Sequence, residues 1–78
     1  MPTAFVCITT EPASMVEVLK EVKAVAGVEE AEMVYGVYDI VAKVKAETMD
    51  KLKHIITEHI RRIDKVRTTL TMLVVEST

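Results

Sequence analysis

The segment Val34-Tyr35-Gly36-Val37-Tyr38-Asp39-Ile40-Val41 lies near the midpoint of the 78-residue chain. An apolar, β-prone run enters it and a second leaves it. Because glycine adopts positive φ without steric cost, Gly36 predicts the pivot of a tight hairpin. The turn also carries two tyrosines and the carboxylate of Asp39, which packing alone does not require. We interpret this turn as one edge of a small-molecule site that is completed when copies of the chain associate.

Before this turn the sequence predicts a strand, a helix and a second strand. Residues 4–10 are mostly β-branched or aromatic, which favours a strand. Ser14 is expected to cap the first helix, with Glu17 completing a capping box, and Gly27 is expected to be its C-cap. The apolar stripe of this helix has helical spacing and consists of Met15, Val18, Leu19, Val22 and Val25. Residues 28–35 are predicted to form the second strand.

After the turn the same order of elements returns. Residues 40–45 predict a strand, Thr48 opens a second helix, and Arg61-Arg62 closes it. Its apolar stripe consists of Leu52, Ile55, Ile56 and Ile60. Residues 66–75 predict the last strand. Two strand–helix–strand units make the ferredoxin-like βαββαβ motif, an α+β fold with both helices on one face of a four-stranded antiparallel sheet. We expect residues 1–78 to form one domain.

The predicted first and last strands are apolar on both faces. Side chains alternate along a strand, so one face of the last strand carries Leu70 and Met72 while the other carries Leu73. In the first strand, Val6 and Ile8 likewise oppose Phe5 and Cys7. Two helices cover only one face, and soluble monomers rarely expose a large apolar patch. The pattern therefore predicts a dimer that packs sheet to sheet about a two-fold axis.

Composition restricts the partners and the setting of the chain. The net charge is −2 with both signs interspersed, which argues against direct binding to nucleic acid or to an anionic membrane. No apolar run approaches the roughly 18–20 residues of a membrane span. The sequence shows no signal-peptide pattern and has one cysteine, so we expect a cytoplasmic protein. The chain lacks Asn and Gln and is rich in Lys, Arg and Glu, which is typical of proteins from very hot environments.

Signals for catalysis or metal binding are weak. His54 and His59 are five residues apart, so they would not share an α-helical face as a zinc-binding i, i+4 pair does. His54 is expected to be solvated, and His59 is expected to be partly packed or at an interface. Cys7 has no CxxC partner and is expected to be a buried, inert thiol. We therefore expect no metal, no cofactor and no enzymatic activity.

Two interpretations of the central turn remain open on the residues alone. Asp39 can bind backbone amides of the hairpin, or it can accept a hydrogen bond from the ammonium group of a ligand. Tyr38 can be an edge aromatic residue or a pocket wall. On the last strand, Thr69 and Thr71 offer hydroxyl groups beside Leu70, although threonine is also a common strand residue.

Three segments resemble one known family: residues 25–31 (VAGVEEA), 35–41 (YGVYDIV) and 63–72 (IDKVRTTLTM). They are similar to the effector-binding domain of the Lrp/AsnC regulators, also called the RAM domain. The resemblance implies a ferredoxin-like fold, dimers formed through the sheets, and assembly into octameric or larger rings. It also implies amino-acid effectors between dimers. The positions that the resemblance assigns to the effector region are Gly36, Tyr38, Asp39, Thr69, Leu70 and Thr71.

The chain departs from the family pattern in two places. Family members usually carry an N-terminal helix-turn-helix, and this chain resembles the stand-alone form, which is not expected to bind DNA itself. Members often have Pro-Gly where this chain has Arg61-Arg62.

The sequence therefore predicts a non-enzymatic, amino-acid-binding, oligomeric module for transcriptional regulation of amino-acid metabolism. Its expected partners are its own copies, a small amino-acid effector and full-length Lrp/AsnC regulators. Three alternatives stay open. The first is an ACT-like regulatory subunit of a metabolic enzyme. The second is a dimeric ferredoxin-like αβ-barrel enzyme that would use Cys7, Tyr35 or His59. The third is a purely structural oligomerisation domain.

Overall fold

The computed structural model describes residues 1–75 and contains one four-stranded antiparallel sheet with the strand order β2-β3-β1-β4. The elements are β1 (Thr3–Thr10), α1 (Met15–Lys23), β2 (Val28–Met33), β3 (Ile40–Lys45), α2 (Met49–His54), a π-helical segment (Ile55–Ile60) and β4 (Val66–Leu73). This order confirms the predicted ferredoxin-like α+β fold. No helix in residues 1–75 has the length and apolarity needed to cross a membrane.

The core lies between the helices and one face of the two central strands. Val6 and Ile8 of β1 are fully buried, and in the register with β3 they oppose Ala42 and Ile40. The helical residues that are fully buried with them are Val18, Val22, Leu52 and Ile60. Burial of each such aliphatic side chain stabilises the folded state by about 1.5–3 kcal/mol relative to leaving it exposed. The alternation of side chains along β1 and β3 thus decides which face of the sheet the helices cover.

The first helix begins at the predicted place, but it is not capped as predicted. Ser14 is the N-cap residue by position, yet its side chain makes no capping hydrogen bond. Its φ of −110° and ψ of 6° lie outside the extended region that side-chain caps usually adopt. Glu17 instead lies 3.5 Å from Lys65 Nζ. The predicted capping box is therefore wrong.

Gly27 lies beyond the helix and has a role in packing. The helix ends at Lys23 with Ala24 as its C-cap, so the prediction that Gly27 caps it is wrong. Gly27 has a φ of +102°, and a Cβ placed on it would lie 2.7 Å from Cδ1 of Ile55 and 3.1 Å from the carbonyl oxygen of Lys45. Gly27 therefore allows the chain to pass close to the second helix and to β3.

The second helical region has the predicted extent, from its N-cap Thr48 to its C-cap Arg61, but it is less regular than predicted. Thr48 caps it as expected, because its hydroxyl accepts a hydrogen bond of 3.1 Å from the Lys51 amide. The α-helix ends at His54, and a π segment follows in place of the predicted continuous α-helix. The amide of Arg61 donates to the carbonyl of Ile56 at 2.9 Å, which is the i→i+5 bond of a π turn.

The central turn is a six-residue loop and not a tight hairpin. The second strand ends at Met33, so residues 34–39 form the connection, closed by a 2.8 Å bond from the Val34 amide to the Asp39 carbonyl. The loop is wide because Asp39 is already joined to β1, where its amide donates to the Ile8 carbonyl at 2.9 Å. Gly36 has the expected positive φ, at +121°.

The sheet face opposite the helices has an apolar half and a charged half. On β1 and β4, Phe5 opposes Met72 and Cys7 opposes Leu70, and all four point away from the helices. On β2 and β3, Glu29 lies 3.8 Å from Lys43 and 3.5 Å from Lys45. The apolar half, which we define as Phe5, Cys7, Val41, Leu70 and Met72, leaves Leu70 and Met72 nearly half exposed. Strand β4 ends at Leu73, two residues before the predicted end.

Candidate functional site

Asp39 joins the central loop to the end of β1. Its Oδ2 atom accepts a 2.9 Å hydrogen bond from the Thr10 amide and lies 3.4 Å from the Thr10 hydroxyl. The carboxylate thus binds a backbone amide, but the amide belongs to β1 and not to the hairpin. Its second oxygen, Oδ1, takes no part in these bonds. Asp39 is therefore a fixed, half-buried carboxylate that retains one oxygen for a further donor.

The other predicted residues of the loop differ in exposure. Gly36 is exposed, and a Cβ built on it would have no neighbour within 4 Å. Tyr38 is half-buried beside Asp39. Tyr35 and Val37, which flank the glycine, are almost entirely exposed. The loop thus projects an aromatic and an apolar side chain into solvent next to the fixed carboxylate.

The three predicted residues of β4 lie on both faces of the sheet. Thr69 and Thr71 oppose Ile8 and Val6 of β1, so they share the face that carries the helices. Leu70 opposes Cys7 and belongs to the apolar half of the other face. One subunit therefore does not present Leu70 on the same wall as the two threonines.

The two predicted segments lie at the same end of the sheet but are separated by β1. Ile40, which follows Asp39, and Thr69 are both register partners of Ile8. Two inter-strand spacings of about 4.8 Å separate their backbones, or roughly 10 Å. A single small amino acid cannot span this gap with its ammonium and carboxylate groups. Completion of the site by a neighbouring subunit stays a prediction.

Two surface grooves of the described chain bear on the predicted residues. One has a volume of about 690 Å³ and lies beside α1 and the second helical region, away from Gly36, Tyr38 and Asp39. A small groove of about 130 Å³ at the start of β4 includes Thr69 together with Arg61 and Arg67. The sequence pattern assigned Arg61 to the end of the second helix and gave Arg67 no place in the amino-acid site. Their proximity to Thr69 adds cationic donors to that segment.

The residues considered for an αβ-barrel enzyme are not brought together. Cys7 lies on the sheet face away from the helices, and Tyr35 projects from the loop. His59 belongs to the π segment and lines the large groove on the helical side. A catalytic arrangement of these three groups within one subunit is therefore not supported.

The two histidines are arranged differently from the prediction. Their rings meet edge to face, with centroids 5.4 Å apart, because the π turn brings residues five apart onto one side. The premise that His54 and His59 point to different sides was wrong. His59 is exposed in the single subunit and not partly packed, and its position at an interface stays a prediction. Within residues 1–75, no three His, Cys, Asp or Glu side chains converge as a metal site.

Comparison with known proteins supports one family. The sequence model of the Lrp/AsnC ligand binding domain matches residues 3–78. An uncharacterized HTH-type transcriptional regulator of Pyrococcus furiosus is 36% identical over 74 residues, which are 91% of this chain and 49% of the relative. The crystal structure of FFRP-DM1 has a TM-score of 0.92 and 37% identity, covering 96% of this chain and 100% of that one.

A more distant structure supports the fold alone. The transcriptional regulator NMB0573 of Neisseria meningitidis, solved as its L-Met complex, has a TM-score of 0.83 at 16% identity, covering 96% of this chain and 50% of that one. The chain spans about half the length of the curated relatives it matches, which are HTH-type transcriptional regulators. Because the family match extends over nearly the whole sequence and agrees with the βαββαβ fold, the chain belongs to the Lrp/AsnC ligand-binding domain family.

Proposed function

We propose that this chain binds a free amino acid and acts as a non-enzymatic, oligomeric regulatory module in transcriptional control of amino-acid metabolism. The observation that carries the proposal is the carboxylate of Asp39, which is fixed by Thr10 and retains one oxygen for a ligand. Membership of a ligand-binding family of regulators supports it and favours it over an ACT-like subunit. The L-Met complex of the Neisseria regulator supports the choice of an amino acid as ligand.

The ligand's two charged groups require opposite partners. In the proposal, Oδ1 of Asp39 accepts from the ammonium group, in a charge-assisted hydrogen bond that is stronger than a neutral one. The carboxylate of the ligand is bound by amides near Gly36 and by the hydroxyls of Thr69 and Thr71, with Arg67 as a cationic neighbour. Because β1 separates these groups within one chain, the loop of one subunit and the β4 segment of another form each site.

The assembly brings these segments together. We assign the apolar half of the sheet to a two-fold dimer interface, which would cover its exposed leucine and methionine, and we assign Leu70 to that interface. Tyr38 remains the wall of the amino-acid pocket. A ligand that bridges two dimers then shifts the population of rings, because it binds the assembled state more tightly than the separate dimers. Full-length Lrp/AsnC regulators with the same sheet surface could join such an assembly.

The substitution Asp39→Asn tests the proposed recognition. Asparagine retains an acceptor oxygen for the Thr10 amide but removes the negative charge that the ammonium group requires. We expect amino-acid affinity, measured by isothermal titration calorimetry, to fall about 10- to 150-fold, since a hydrogen bond to a charged group contributes about 1.5–3 kcal/mol. The sheet dimer should persist in analytical ultracentrifugation.

Asp64→Asn is the matched control, because it makes the same chemical change at an exposed position outside the loop. Its amino-acid affinity should equal that of the wild type. If Asp39→Asn binds as tightly as Asp64→Asn, Asp39 serves only to attach the loop to β1, and the proposed site is wrong at its centre.

A further inference from the structure

The histidine pair, defined as His54 and His59, is left unused by amino-acid binding. His54 is the last residue of α2 and His59 lies in the π segment. Side chains that meet on an α-helix are three or four residues apart, so a spacing of five brings two rings together only because the helix contains an i→i+5 turn. Such π turns occur frequently at functional sites.

The surroundings of the histidine pair suit a cation. Both rings are exposed and line the groove of about 690 Å³ beside α1. Two carboxylates line the same groove, Glu21 from α1 and Asp50, which lies four residues before His54 on the same helix face. Lys51 also lines it, but its ammonium group lies 3.4 Å from Glu47. The groove therefore brings two imidazole rings and two carboxylates to one surface.

We propose that the histidine pair binds a divalent transition-metal cation of the zinc class. Imidazole nitrogens are suitable ligands for zinc, copper and nickel, whereas calcium and magnesium prefer oxygen. Two imidazoles bound to one tetrahedral zinc at about 2.0–2.1 Å would have ring centroids roughly 5 Å apart. The observed 5.4 Å matches this separation.

The remaining coordination positions would be open to exchange. Residues 1–75 offer no third converging ligand, so water or a small anion would complete the coordination of the ion. Asp50 and Glu21 would act as outer-sphere acceptors that orient the imidazoles. The ion would link the end of α2 to the π segment. This proposal is independent of amino-acid binding, which involves residues at the end of β1, in the loop before β3 and at positions 67–71 of β4.

The test is a titration of the complete, chelator-treated chain with Zn²⁺ by isothermal titration calorimetry. We expect one ion per chain, and no heat of binding with Mg²⁺. His54→Gln and His59→Gln should each weaken zinc binding by at least the roughly 10- to 100-fold that follows loss of an outer-sphere partner. Zinc-free circular dichroism and urea unfolding would check that each variant folds.

A composition-matched control exchanges two neighbouring residues, Lys53→His with His54→Lys. It keeps two histidines and the same net charge, but the spacing of six places them on different sides of the helix. Zinc binding should be lost. Wild-type binding by this variant or by either single variant would overturn the proposal, as would the absence of zinc binding by the wild type.

A second measurement needs no substitution. The chain has two histidines, so their imidazole proton signals in an NMR spectrum form a small, assignable set. Addition of Zn²⁺ should shift or broaden the signals of both rings together. Binding of zinc with only one ring affected, or with neither, would contradict the paired site.

Discussion

Asp39 shows how one side chain serves both the fold and the proposed site. Its amide and one carboxylate oxygen hold the end of β1, at Ile8 and Thr10 respectively. These bonds immobilise the carboxylate before any ligand arrives, which lowers the entropy lost on binding. They also explain why Asp39→Ala would be a poor test, since it would leave the Thr10 amide without its acceptor.

The two glycines allow a matched prediction of stability. Both have positive φ, so alanine at either position is expected to lower the free energy of unfolding by about 1–2 kcal/mol through backbone strain. Gly27→Ala should cost about 1–3 kcal/mol more, because its Cβ would meet Ile55 and the Lys45 carbonyl, whereas the Cβ of Gly36→Ala meets nothing. Urea unfolding at equal protein concentration measures both. Equal losses for the two variants would contradict the close packing at Gly27.

The conformations of some residues followed from their local chemical preferences, and others were mispredicted because contacts with distant parts of the chain determine them. The positive φ of Gly36 and the cap at Thr48 follow from steric and hydrogen-bonding preferences of those residues, and both were predicted. Ser14 failed as a side-chain cap because it adopts φ −110° and ψ 6° after Ala13, which has a φ of +66°. A bond from Glu11 to the Lys65 carbonyl fixes this turn from the far end of the chain.

At the scale of elements, β4 presents two faces of similar exposure but different predicted roles. Met72 lies on the apolar half of the sheet, opposite Phe5, while Leu73 lies on the helical side, opposite Ala4. Their exposed fractions are 47% and 44%. Alternation along one strand therefore provides an internal control for the proposed dimer interface.

Met72→Glu should dissociate the dimer, because burial of an unpaired carboxylate in an apolar interface costs several kcal/mol. Leu73→Glu, with the same change on the opposite face, should leave the dimer intact. Sedimentation velocity at micromolar concentration distinguishes the two. Dissociation by Leu73→Glu with no effect of Met72→Glu would place the interface on the helical face of the sheet and contradict the proposed dimer.

The π segment is the element that sequence periodicity could not predict. The stripe of Leu52, Ile56 and Ile60 has a four-residue spacing that an α-helix also accommodates, so nothing in the pattern indicates an i→i+5 turn. Ile56 and Ile60 are buried in the core while Ile55 lies against Gly27.

At the scale of the whole molecule, the order of strands and helices was predictable because the apolar periodicity changes cleanly between β and α segments. The distance between the two segments of the predicted site was not predictable in the same way, because it depends on the strand register. That register places Asp39 and Thr69 on opposite sides of β1. One subunit contains the chemical groups that would bind an amino acid, but they do not lie close enough together to bind one ligand. The proposed function therefore depends on assembly.

The most direct test of amino-acid binding is the melting temperature of the chain with each of the twenty amino acids in turn. A ligand at 100 times its dissociation constant stabilises the folded state by about 2.7 kcal/mol. For a domain of this size, each 1 kcal/mol raises the melting temperature by roughly 4–8 °C. Guanidinium can be added to bring the transition into range. We expect one amino acid, or a few of similar shape, to raise the melting temperature by about 10 °C or more. An unchanged melting temperature with all twenty at millimolar concentration would contradict it.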